Sequence, residues 1–331
     1  MLTLLVLTLT VFLAASGAFA DEPFQSQEGP LTTQTVESLT LKDAVRKKDL
    51  ICKVHAPESG GPYPVILFSH GFGGNKDAFG PVGRYWASHG YVVIHPSHAD
   101  GLSRAAGNQN ADDGEKPDSR VRLRGVREGI SDPQKIVERV ADLVLILDSL
   151  DQLPTAVPGL KGKIDAQHVG VAGHSFGAYT AMLIGGVTAD LGNEKGKRFA
   201  DKRVACILPI SGQGTGQQGL TNRSWDSLTI PMMTITGTRD QGVGGQGVDW
   251  KKEPYQFSPK GDKFLVVIDG ANHFSFGGGL GLRGSAPTEV VKRCSTQYWD
   301  AYLKDSAAAK KYLQSDRLVK DSGGRCAFEW K

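Results

Sequence analysis

The run Val169-Gly170-Val171-Ala172-Gly173-His174-Ser175-Phe176-Gly177-Ala178 decides the fold. A short apolar strand, His168 to Ala172, enters a Gly-X-Ser-X-Gly turn and passes straight into a buried helix over Phe176 to Ile184. Strand, tight turn and helix in that order make a nucleophile elbow. The turn forces Ser175 into a strained backbone conformation and pushes its hydroxyl into the open, and a side chain at Gly173 or Gly177 would collide with the neighbouring strand or helix. In a chain with 42 glycines the five-residue pattern alone says little; the flanking strand and helix give it meaning.

Working outward, Pro64 to Ser69 and Tyr91 to Pro96 are unbroken apolar runs, the mark of strands covered on both faces. Phe79 to His89 between them reads as a crossover helix, and Asp132-Pro133 caps and starts another whose apolar face is Ile136, Val140, Leu143, Leu147 and Leu150. Upstream, Thr35 to Leu41 and Asp49 to His55 flank the basic turn Arg46-Lys47-Lys48 as an antiparallel edge hairpin. Downstream, Arg203 to Ile210, Pro231 to Thr236 and Lys263 to Ile268 are further strands, and Thr288 to Leu303 is a helix laid back over the sheet. Alternating units of this kind predict an α/β fold with a mostly parallel, doubly wound sheet and helices on both faces. Ligands then bind beyond the carboxyl ends of the strands, in the loops after Ser69, Pro96, Gly173, Ile210, Thr236 and Ile268.

With 331 residues, 40% hydrophobic and 22% charged, the chain suits one large α/β domain and excludes disordered and fibrous classes. A net charge of +3 is too mild to argue for nucleic acid or anionic membranes. Leu2 to Ala15 is an apolar run followed by Ser16-Gly17-Ala18-Phe19-Ala20, which reads as a signal peptide over residues 1–20, cleaved after Ala20. The expectation is a single domain over residues 21–331, secreted to the periplasm or the exterior, monomeric and without stable membrane insertion. Four cysteines in an exported chain permit two disulfides. Cys206, inside an apolar strand, reads as a buried free thiol and Cys52 as unpaired, while Cys294 and Cys326 are expected to staple the last segment. Gly101 to Glu128 is a polar insertion in which Asp112, Asp113 and Glu115 are followed by Arg120, Arg122, Arg124 and Arg127; it reads as solvated, with its opposite charges partly paired, rather than as a calcium or anion site. No metal or other cofactor is expected.

A serine hydroxyl is a poor nucleophile near neutral pH and needs a base, itself oriented by an acid. In this fold the order is Ser, acid, His. His273 is the only histidine after the elbow, and Asp240 follows the strand Pro231 to Thr236, so Ser175, Asp240 and His273 form the expected triad. Asp269 is too close to His273 and reads as a turn residue before Gly270. The oxyanion donors are expected to be the backbone N–H groups of Phe176, at a helix N-terminus, and of Phe72, in the loop His70-Gly71-Phe72-Gly73-Gly74.

These motifs resemble the α/β-hydrolase superfamily. More narrowly, Tyr63 to Gly73, Gly173 to Gly177 and Asp269 to Phe274 look like the group of dienelactone-hydrolase-like esterases, bacterial cutinases and polyester hydrolases, and platelet-activating-factor acetylhydrolases. Dienelactone hydrolases proper carry a Cys nucleophile where this chain has Ser175. Acetylhydrolases of the platelet-activating-factor type place their acid after the strand following the elbow, where this chain has Ser211, so the resemblance favours the cutinase-like acid position at Asp240. It implies a secreted serine carboxylester hydrolase. An acyltransferase on the same triad, a phospholipid acetylhydrolase or a non-catalytic binding protein are the alternatives.

The loop Ser211 to Arg223 has Leu220 as its only large aliphatic residue, and the loop after Asp240 is rich in glycine, so neither can form a large amphipathic helical lid. An open, partly aromatic cleft is expected, with Phe72, Phe176, Trp250 and Phe274 as candidate contacts to a small-molecule or polymeric ester.

Overall fold

The computed structural model describes residues 26–101, 119–278 and 285–331. The expected signal peptide (1–20), the domain start at residue 21 and the acidic stretch Asp112 to Glu115 lie outside the described residues. Strands β1 (Thr33–Asp43) and β2 (Lys48–Pro57) form the expected antiparallel hairpin at the sheet edge. Then come β3 (Tyr63–Ser69), β4 (Val92–Pro96), β5 (Ile164–His174), the small separate hairpin β6 (Ala189–Leu191) and β7 (Glu194–Lys197), β8 (Val204–Ile210), β9 (Met232–Gly237), β10 (Lys263–Ile268) and β11 (Cys326–Trp330). The main sheet has nine strands in the order β1-β2-β4-β3-β5-β8-β9-β10-β11. The six strands from β4 to β10 run parallel. This is the doubly wound α/β-hydrolase arrangement.

Both sheet faces are covered, which is why the central strands are apolar without alternation. Along β3, Val65 and Leu67 enter one core with helices α3 (Pro133–Ser149) and α4 (Phe176–Gly185), while Ile66 and Phe68 enter the other with α1 (Gly80–Ser88) and α6 (Ala286–Leu303). Helix α3 starts as its sequence dictates: Pro133 occupies its first turn and the Asp132 carboxylate accepts the Gln134 N–H at 2.9 Å. Gly170 of β5 is glycine because Trp299 of α6 packs there; a Cβ would stand 2.6 Å from the indole. Trp299 is fully buried, and its truncation to alanine would cost about 3–5 kcal/mol.

Three elements depart from the sequence reading. Helix α2 (Ser119–Ile130) occupies the end of the polar insertion, α5 (Val248–Phe257) follows the glycine-rich loop after Asp240, and β11 extends the sheet from the C-terminal segment, where the sequence reading places no strand. Helix α5 lies on the sheet, with Val248 and Tyr255 packed on Leu265 and Val267 of β10. Residues 211–223 carry no helix, and no large helical lid stands over the site among the described residues.

The expected Cys294–Cys326 staple is not formed: all four cysteines are free and buried. The Cys294 thiol donates to the Val291 carbonyl within its own helix at 3.5 Å, and Cys326 pairs with Ile268 as the first residue of β11 while its sulfur meets the Ser322 hydroxyl at 3.5 Å. Each is packed as a small hydrophobe. No described helix is long and apolar enough to cross a membrane.

Candidate active site

The elbow is built as its glycines require. Ser175 has φ 55° and ψ −119°, a conformation rare for a residue with a side chain. A Cβ on Gly173 would lie 2.1 Å from the Gly177 carbonyl oxygen, and one on Gly177 would lie 1.8 Å from that of Ser69. The Ser175 N–H is tied to the Ile210 carbonyl of β8 at 3.0 Å, which fixes the serine between strands.

Loops from three strand ends then converge. His273, after β10, places Nε2 3.0 Å from Ser175 Oγ, and its Nδ1 lies 3.2 Å from Asp240 Oδ1, after β9. The His273 side chain is 24% exposed and that of Asp240 is sealed. Asp269, as expected, serves its turn: its carboxylate accepts the Thr238 hydroxyl at 3.2 Å. Burial alone would raise the Asp240 pKa, but the His273 bond, the Lys251 charge and the Ser211 hydroxyl together hold it below the usual value. Thr236 Oγ1 donates to Asp240 Oδ2 at 2.9 Å, so both carboxylate oxygens are engaged.

The sequence reading gives several residues at this site no role. His174, the X of the elbow, meets the His273 carbonyl through Nε2 at 2.8 Å and so pins the His273 loop. Burial pushes His174 down to about 3, so the ring is neutral and donates its Nε2 proton. Ser211, entirely buried after β8, and Lys251 of α5 sit behind Asp240.

The loop carrying Phe72 comes up against the elbow, where a Cβ on Gly71 would be 3.4 Å from that of Ser175. It is held from beneath by Arg139 of α3, which donates to the His70 carbonyl at 2.7 Å and the Gly71 carbonyl at 3.3 Å and pairs with Asp100 at 2.9 Å. No protein acceptor takes the N–H of Phe72 or Phe176 among the described residues. Unspent N–H donors on the two chain segments that meet at Ser175 suit an oxyanion.

The four aromatic candidates separate. Phe274 is 74% exposed, edge-on to the His273 ring at 5.2 Å, and Phe72 is half-buried. Trp250 is half-buried with its Nε1 donating to the Thr215 carbonyl at 2.8 Å. The Phe176 ring does not line the cleft: it is wholly buried between Phe72, Tyr179 and the Arg139 guanidinium. No cluster of three or more potential metal ligands occurs among the described residues.

Comparison with known proteins places this geometry. Residues 31–200, just over half of the chain and including Ser175, match the family model described as platelet-activating factor acetylhydrolase, isoform II. A platelet-activating factor acetylhydrolase from Canis lupus familiaris is 29% identical over 66% of this chain, and one from Bos taurus is 31% identical over 79% of it. The cutinase est2 of Thermobifida alba is 25% identical over 67% of this chain. The chain spans 49% of the dog protein's length, 61% of the bovine protein's and 56% of the cutinase's. The match in sequence and the sheet order agree: the chain belongs to the platelet-activating factor acetylhydrolase isoform II family of the α/β-hydrolase superfamily.

Proposed function

We propose that this protein is an exported serine carboxylester hydrolase that works through an acyl-enzyme. The observation that carries the reading is the 3.0 Å contact between His273 Nε2 and the hydroxyl of the strained Ser175. Ser175 Oγ attacks the ester carbonyl as His273 takes its proton; the imidazolium is stabilised by the Asp240 carboxylate, and the carbonyl oxygen, now an anion, is held by the N–H groups of Phe72 and Phe176. Collapse of the tetrahedral species breaks the ester C–O bond, and His273 returns the proton to the leaving alkoxide. Water, activated by the same histidine, then frees the acid and restores Ser175.

For the substrate we propose short-acyl or polyester-type esters, with Phe274 and Phe72 bordering an open cleft. A phospholipid with a short second acyl group is the second reading, favoured by the family match over residues 31–200. Export rests on the apolar leader of residues 1–20 and monomeric behaviour on the sequence alone. The test is labelling of the pure protein by a fluorophosphonate together with turnover on a panel of p-nitrophenyl esters, polyester films and short-chain phospholipids. Labelling confined to Ser175 and a rate optimum at about two to six acyl carbons, without a jump at the substrate's solubility limit, are expected. Absence of labelling, or a preference for long-chain emulsions, overturns it.

A further inference from the structure

Ser211 occupies an uncommon position. It follows β8 directly, is fully buried, and holds φ 52°, a left-handed conformation that costs a side-chain-bearing residue free energy. Its N–H is fixed to the Ile235 carbonyl at 2.7 Å. In that conformation its hydroxyl lies 2.9 Å from Asp240 Oδ1, 2.8 Å from His273 Nδ1 and 3.1 Å from Lys251 Nζ. A hydroxyl has one proton and two lone pairs, so three partners fill it in a single way. The Lys251 ammonium can only donate and takes one lone pair. The ionised Asp240 can only accept and takes the proton. What remains for His273 is the second lone pair, so Nδ1 must carry the imidazole proton and Nε2 is left bare toward Ser175.

Lys251 fixes this arrangement from the other side. Its Nζ also donates to the Ser211 carbonyl at 3.0 Å and stands 3.8 Å from Asp240 Oδ1, with both side chains at 2% exposure or less. A sealed carboxylate without a countercharge would be costly, and Lys251 supplies that charge. Burial pushes its ammonium down to about 8 against the pull of Asp240, so it stays largely charged at neutral pH.

We propose that Ser211 and Lys251 are positioning residues of the proposed reaction: Ser211 relays the Asp240 carboxylate to His273 and selects the reactive tautomer, while Lys251 orients Ser211 and neutralises Asp240. This rests on the triad reading above. It gives the base two acceptors, a direct carboxylate at 3.2 Å and a bridging hydroxyl at 2.8 Å. It also makes the Ser211 position a second place from which a carboxylate would reach His273, because the left-handed conformation there is one that aspartate tolerates.

The experiment measures kcat and KM on p-nitrophenyl butyrate for Ser175→Ala, Asp240→Asn, Ser211→Ala, Lys251→Met and the double variant Ser211→Asp/Asp240→Asn, each checked for an intact thermal transition. Ser211→Ala is expected to lower kcat by about 10- to 100-fold with KM unchanged, the worth of a hydrogen bond to a charged partner. Asp240→Asn is expected to fall by about 10⁴-fold, and the double variant to recover at least about tenfold over Asp240→Asn alone. A merely structural serine would give no such rescue. The inference is overturned if Ser211→Ala stays within about twofold of wild type in kcat and the double variant is no faster than Asp240→Asn. Should Lys251→Met fail to fold, the Ser211 variants decide. Full activity of Ser175→Ala would instead sink the triad reading itself, which the same panel detects separately.

Discussion

Two Ser-His-Asp lines run through this molecule, and by distance alone they are hard to tell apart. In the first, Ser175 Oγ meets His273 at 3.0 Å and His273 meets Asp240 at 3.2 Å. In the second, Ser69 Oγ donates to His98 Nε2 at 2.9 Å and His98 Nδ1 donates to Asp142 Oδ2 at 2.9 Å. The second is the better formed by length, yet all three of its side chains are sealed. Ser69 is the last residue of an ordinary strand, and its hydroxyl also takes a bond from Arg139 at 3.3 Å. Asp142 shares its charge with Arg46 at 2.6 Å and Lys48 at 2.7 Å. The difference lies in surroundings: the Ser175 line has a strained elbow, an open histidine and two free N–H donors, and the Ser69 line has none of these. The sealed line braces the loop that carries Phe72, since the His98 N–H donates to His70 Nε2 at 3.0 Å just before Gly71 and Phe72.

The sharpest break between the two lines is in turnover. Ser175→Ala is expected to lose on the order of 10⁴- to 10⁶-fold in kcat with an unchanged thermal transition, whereas Ser69→Ala keeps kcat within about tenfold. Equal losses in steady-state assays of the two purified variants would mean that the sealed line takes part in chemistry.

Acid should find the buried histidines, and after them the sealed Asp142, through stability. Burial depresses His55 to about 4 and His95 to about 3 from 6.5, and His98, which pairs with Asp142 rather than with these two, is lowered by burial as well. Between those values and 6.5 the unfolded chain binds protons that the folded protein refuses, so stability is lost as pH falls from 6.5. From pH 7.5 to 4.5, His55 and His95 together account for roughly 5 kcal/mol at 1.36 kcal/mol per unit. Asp142 acts later. Burial alone would raise it, but the His98 bond and Lys48 hold it at about 2, under its ordinary 3.8, so its contribution is present above 3.8 and lost as pH falls toward 2. Urea titrations across pH measure this, and a flat stability between pH 7.5 and 4.5 contradicts it.

Removing the sealed acid sharpens the same point at constant pH. Asp142→Asn leaves Arg46, Lys48 and His98 facing an uncharged amide in a buried site, which costs about 3 kcal/mol. The midpoint of urea unfolding should drop accordingly, while the folded fraction retains turnover within about tenfold. A large loss of kcat at undiminished stability would reverse the assignment of roles.

Legibility in the sequence follows the same division. The elbow, the six parallel strands and the convergence of Ser175, Asp240 and His273 were readable because each is a local pattern: a glycine pair that nothing else can replace, an apolar run, a strand-end position in a fixed order. Ser69, His98 and Asp142 lie 29 and 44 residues apart, and Ser211 and Lys251 40 apart, with no motif joining them. Only packing reveals that they are buried together. Helix α2 was hidden because Leu123, Val126 and Ile130, which recur at helical spacing, are few among the charges of an arginine-rich stretch, and β11 because five residues beside a helical segment are too short to show a period. The unformed Cys294–Cys326 bridge shows the limit of inferring pairing from sequence position.

The smallest expected effect concerns two phenylalanines that look alike on the chain and differ in place. Phe176 is sealed in the core and Phe274 stands 74% exposed beside His273, presented by a turn in which its N–H donates to the Asn272 side chain at 2.9 Å. Truncating Phe176 removes a packed ring and should cost about 3–5 kcal/mol of stability. Truncating Phe274 removes a ring that only a substrate can cover. Partial burial of such a ring on binding is worth about 1 kcal/mol, so Phe274→Ala should lower kcat/KM on p-nitrophenyl butyrate by about fivefold, chiefly through KM, and leave the unfolding midpoint in place. The effect should grow from acetate to butyrate, because a longer acyl chain has more surface to lay against the ring. If kcat/KM is unchanged at every acyl length, Phe274 is an ordinary exposed side chain and the aromatic border of the site must be sought at Phe72.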